Sequence, residues 1–192
     1  MLGISVKKAS DNAGRPIGKK GYVILFDYDD VATFTKDAKG VLLTAFSLAQ
    51  GKTPIGVYAT NSSIKATSSI EGEDDARGYI HKLAYEHPGS SLEYDELMNN
   101  LANKNIGAIV IDCGSQNAKI LGTPCTPLKV TKDDSEDSKD NNKNSVELSS
   151  SLRSSPIGRI PLGLIPPTDD NVINTALGLP AAPAGSSGST GL

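Results

Sequence analysis

Proline stands at positions 156, 161, 166, 167, 180 and 183 of the last forty residues. That spacing forbids a long helix or a central strand anywhere in the segment, because each proline lacks a donor and fixes φ. The same forty residues carry only four charges, Arg153, Arg159, Asp169 and Asp170, and a sparse series of aliphatics. Disordered tails are usually charged and poor in aliphatics, having nothing to bury. This segment has apolar side chains to hide and no obvious way to hide them on itself. The expectation is an extended arm covered by a neighbouring subunit, with Ile160, Leu162, Leu164, Ile165, Val172, Ile173, Leu177 and Leu179 as the assembly residues.

The rest of the 192 residues divides into an irregular basic arm over 1–20 and a β-rich core over 21–152. A core of about 130 residues buries roughly two thirds of its unfolded surface, enough to stand alone. The net charge of −3 argues against a dedicated nucleic-acid binder, for which a basic face is expected. It suits a wall past which DNA slides without sticking. No apolar leader begins the chain, and no stretch approaches the ~20 apolar residues of a membrane span. The chain therefore reads as made in the cytoplasm, with no membrane partner. Cys113 and Cys125, twelve apart, give neither a disulfide framework nor a zinc spacing, and read as reduced core thiols.

Along the core, Tyr22–Phe26, Ile55–Thr60 and Ile106–Cys113 are short apolar runs rich in β-formers, hence buried strands. Val41–Ala49 fits a strand or a short helix equally. From Arg77 to His87 the pattern alternates, with Tyr79, His81, Leu83, Tyr85 and His87 on one side, as a half-buried strand requires. Ser91 caps the one expected helix, over Leu92–Ala102. Acids in its first turn suit the helix dipole, and Tyr94, Leu97, Met98 and Leu101 form its apolar stripe. Strand pieces at 118–122 and 128–131 precede thirteen polar residues, 132–144, that read as the loop of a projecting charged hairpin. The fold class is mainly β (α+β): a β-sandwich or barrel with one flanking helix, that hairpin, and extended arms at both ends.

Chemistry is sparse. Val23-Ile24-Leu25-Phe26-Asp27-Tyr28-Asp29 resembles the first motif of haloacid-dehalogenase-type phosphatases, in which paired aspartates act as nucleophile and general acid/base with magnesium. Val57–Ser62, a strand ending at Thr60, imitates the second motif. The rest departs: Asp30 and Val31 replace the usual glycine and threonine, and no later lysine or Gly-Asp pair completes the set. The carboxylates of Glu71, Glu73, Asp74 and Asp75 lack calcium-loop spacing and read as a solvated turn. His81 and His87 stand about 20 Å apart along one strand, too far to share a metal. The expectation is no enzyme, no cofactor, no metal and no small-molecule substrate.

From Ala76 to Leu152 the order of elements, long strand, capped helix, buried strand, strand pieces, polar excursion and Ser145–Leu152, resembles the core of a tailed-bacteriophage tail tube protein. The likeness covers roughly 40% of the chain and lies in layout rather than in a motif. It implies a homo-oligomer of stacked rings within a virion, meeting other virion proteins and conducting DNA. The long apolar C-terminal segment departs from such a module and leaves a neck, ring or head-associated virion protein as the alternative.

Overall fold

A computed structural model describes residues 5–182. The chain is mainly β, 46% strand and 13% helix, with a large antiparallel sheet and two helices. Its centre is the pair β1 (Lys19–Asp27) and β7 (Ile106–Asp112), antiparallel with Val23 opposite Val110 and Phe26 opposite Gly107. Both read as unbroken apolar runs because both are covered on two faces: Val23 to Leu25 are fully buried, and so is nearly all of β7. Gly107 is required there, since a Cβ would fall within the Phe26 ring.

From this centre the sheet spreads both ways. Strand β4 (Ile55–Tyr58) pairs with β1. On the other side β8 (Asn117–Leu121) pairs with β7 and then with β11 (Gly158–Pro161). Strand β9 (Leu128–Asp137) touches β7 at one pair, Ile106 opposite Leu128, and continues into β10 (Asn142–Ser150), β6 (Gly78–Pro88) and β5 (Lys65–Glu71). The sheet curls: Thr60 N, just past β4, donates to Glu86 O on β6 at 2.9 Å. A separate hairpin, β2 (Val31–Lys36) with β3 (Leu43–Leu48), lies across one face.

Because strand side chains alternate, β1 feeds two cores. Val23 and Leu25 meet Leu83, Tyr85, Val146 and Leu148 inside the curl, closed by helix α1 (Leu92–Leu101) through Tyr94 and Met98, with Leu97 and Leu101 at the margin. Ser91 caps that helix by accepting from Tyr94 N at 3.2 Å. Ile24 and Phe26 point the other way, against Phe46, Ile120, Ile160, Ile165, Leu177 and Leu179.

Four expectations change. The polar excursion 132–144 is not a loop: β9 and β10 pair from Leu128–Ser150 to Asp137–Asn142, leaving only 138–141 as the turn. Strand β10 lies along β6 as far as Lys143 opposite Pro88, so the hairpin is held by the sheet rather than projecting from it. Tyr94 Oη donating to Asp133 at 3.2 Å and the Lys143–Glu86 ion pair at 2.7 Å tie the charged strands down. A second helix, α2 (Asn171–Leu177), fits between Pro167 and Pro180; Asp170 caps its start and Gly178, at φ 69°, ends it. Cys113 and Cys125 are free but exposed, not core thiols, because each lies in a turn just past a buried strand. Lastly, the basic arm ends at Gly18, since Lys19 already opens β1.

Candidate functional site

The aspartates at the end of β1 are engaged in structure. Asp27 Oδ1 accepts from Asp29 N at 3.0 Å, capping the 3₁₀ turn Tyr28–Asp30. Its Oδ2 lies 3.0 Å from Lys104, whose pKa is raised first by that hydrogen bond. Asp29 accepts from Asn105 Nδ2 at 2.9 Å, and Asp30 pairs with Lys52 at 3.1 Å. A cleft of about 290 Å³ opens beside them, with Asp27, Asp30, Thr53, Asn100 and Lys104 in its wall. The second phosphatase-like motif is nowhere near it. β1 and β4 run antiparallel, with Leu25 opposite Ile55 and Tyr22 opposite Tyr58. Thr60 therefore lies at the Lys20 end of β1, roughly 20 Å from Asp27 at strand rise. The two motifs flank opposite ends of one strand pair, so the phosphoryl-transfer geometry is not assembled.

The histidines are likewise structural in their contacts. His81 is buried, its Nδ1 accepts from Gly122 N at 3.0 Å, and its Nε2 donates to Ser155 O at 2.9 Å. Burial holds its pKa below the ordinary imidazole value. His87 stacks on Tyr94 at 4.5 Å and bonds the Tyr58 carbonyl through Nδ1 at 2.9 Å. Asp112 sits between Lys19 and Lys119, at 2.6 and 3.2 Å. Burial pushes its carboxyl up, but the two ammoniums outweigh it and hold the pKa down. Asp74 pairs with Arg77 at 2.8 Å in the acidic turn after β5. Among the described residues no group of three or more His, Cys, Asp or Glu side chains converges to hold a metal ion.

The C-terminal assembly residues are found elsewhere than expected. Ile160, Ile165, Leu177 and Leu179 are buried in the second core of their own chain, while Leu162, Leu164 and Ile173 pack half-buried at its edge. Only Val172 faces solvent, 73% exposed. The physical reason is that α1 covers one face of the sheet, leaving the β1–β7–β8 face open; the β2–β3 hairpin and the C-terminal segment close it together. Proline permits this route. Pro161 ends β11, Pro166 and Pro167 turn the chain, and Pro180 follows α2. A buried polar clasp fixes the turn: Asn174 Oδ1 accepts from Thr168 N at 2.7 Å, and Asn174 Nδ2 donates to Thr168 O at 3.0 Å. Residues 183–192, also read as part of the arm, lie outside the described residues.

What remains uncovered is at the other extreme of the sheet. Strand β5 pairs with β6 over seven residues, Lys65–Ala84 to Glu71–Gly78, without a bulge. Among the described residues nothing pairs with its outer edge. All its residues but Ala66 are exposed, so both faces are open too. Edge strands are normally blunted by charge, proline or bulges. The edge of β9 is guarded in that way, by Lys132, Asp133, Asp134, Glu136 and Asp137. Between its terminal Lys65 and Glu71, β5 offers only Ala-Thr-Ser-Ser-Ile. The stretch was legible only as loose alternation over Ile64–Ile70, which marks a strand but not its place in a sheet. No family model, curated protein or solved structure matches the chain.

Proposed function

We propose that this chain is a structural subunit that assembles with copies of itself into rings, as a tailed-bacteriophage tail tube subunit does; a neck or head-associated ring is the alternative within the same class. The observation that carries the reading is the unguarded outer edge of β5. A bulge-free edge with charge only at its two ends is a liability in a lone monomer and a ready contact in an assembly. The layout behind the resemblance supports it as well, since β6, α1, β7, β8, β9 and β10 follow one another in the order a tube subunit would need. A net charge of −3 suits a lumen through which DNA passes. On this reading the protein works in a virion beside other virion proteins. The C-terminal segment lends no support, because its aliphatics are used within the chain. Negative-stain electron microscopy of the purified full-length protein tests the proposal: rings or stacked tubes are expected, and a monodisperse monomer at every concentration and salt overturns it.

A further inference from the structure

Two exposed segments of the molecule complement each other. Ser5–Gly18 precedes β1 and every residue of it is exposed, Val6 at 91%. It carries Lys7, Lys8 and Arg15 against Asp11 alone. The open edge of β5 ends in Glu71, and the turn after it adds Glu73 and Asp75, with Asp74 paired to Arg77. Ile70, 59% exposed, is the large aliphatic of that edge and has no cover. We propose that Ser5–Lys7 in the N-terminal arm of a second copy pairs with Ser69–Glu71, the last stretch of the open β5 edge, as a short added parallel strand, Val6 beside Ile70 and Lys7 beside Glu71.

The register follows from strand alternation. Val6 and Lys7 point to opposite faces, as do Ile70 and Glu71, so one parallel alignment satisfies the apolar pair and the ion pair together. An antiparallel strand with Val6 at Ile70 sets Ser5 against Glu71 and Lys7 against Ser69, losing the charge pair. Lys8 then reaches the turn at Gly72 and Glu73. Backbone bonds along the edge supply most of the affinity in strand addition, and the side-chain pairs set the register. Twelve residues lie between Val6 and Lys19, a span of roughly 40 Å when extended. In its own copy the arm stays in solvent, which leaves it for a neighbour. Donor arm and acceptor edge are different patches, so the contact is heterologous and repeats from copy to copy, which gives a ring where the rotation closes and an open filament where it does not. The inference rests on the ring reading in one respect only, that the partner is the same chain.

The experiment is a cross-link. The Val6→Cys/Ile70→Cys variant is prepared in a Cys113→Ser/Cys125→Ser background, all four positions being exposed, and oxidised under assembly conditions. A ladder of covalent dimers, trimers and higher multimers is expected, with neither single cysteine giving more than background. In the same assay the Lys7→Glu/Lys8→Glu variant should assemble about tenfold more weakly, and adding Glu71→Lys/Glu73→Lys should restore it. An intramolecular link, a dimer from Ile70→Cys alone, or no link in a preparation that shows rings each overturns the arm contact and leaves the ring reading standing. A wild-type chain that never forms rings overturns the ring reading instead, and a multimer ladder in that preparation would keep the arm contact alone.

Discussion

The two ends of this chain make opposite use of exposed length. The C-terminal end holds few aliphatics, yet Ile160, Ile165, Leu177 and Leu179 each reach the second core, and prolines set the corners between them. The N-terminal end holds only Val6 and Ile17 among its described large aliphatics, and both stay in solvent. Composition shows that an apolar segment needs cover; it does not show whose surface provides it. That depends on whether the body has a face left open. Here the body has one, behind β1, β7 and β8, and the nearest chain to fill it is its own.

The contrast breaks most sharply at Ile160. Truncating this fully buried side chain, Ile160→Ala, should cost about 2–5 kcal/mol by urea unfolding, as large-to-small changes in a packed core do. Val172→Ala, in the same segment but at an exposed position, should stay within about 0.5 kcal/mol. Equal small effects at both positions would mean the segment is not core.

A smaller effect comes from His81, which fastens the C-terminal segment to β6 and β8. Its neutral ring accepts from Gly122 N, and burial, joined by the nearby Lys36 charge, keeps its folded pKa below 6.5 despite the bond to Ser155 O. The unfolded chain therefore binds a proton at a pH where the folded chain does not. Stability is full above pH 6.5 and declines as pH falls below it toward the lowered folded value, by at most about 1.4 kcal/mol per pH unit. Urea midpoints of wild type and His81→Phe across that range check the sign. A slope unchanged in the variant removes His81 as its source.

Much of the body was legible in the chain. The unbroken apolar runs of β1 and β7 signal burial on both faces, and the Ser91 cap with the Tyr94–Met98 stripe marks α1. What escaped depended on neighbours distant in sequence. The residues 132–144 carry no apolar side chain, and they form strands because β6 and Tyr94 lie alongside. Helix α2 has only seven residues, hemmed by prolines, and its cap at Asp170 and the closing Gly178 are its only local signs. The Asp27–Asp29 motif was visible, but the antiparallel sense of β4, which undoes its resemblance, is a property of the sheet. The open edge of β5 was hidden for the same reason.

The most direct test uses the chain beginning at Lys19, which lacks the N-terminal arm. Its urea unfolding is followed over about a hundredfold range of protein concentration, because stability supplied by a second copy rises with concentration and stability supplied within one chain does not. A monomer with a constant midpoint is expected. A midpoint that climbs with concentration would contradict the account and return the C-terminal segment to a neighbour's surface.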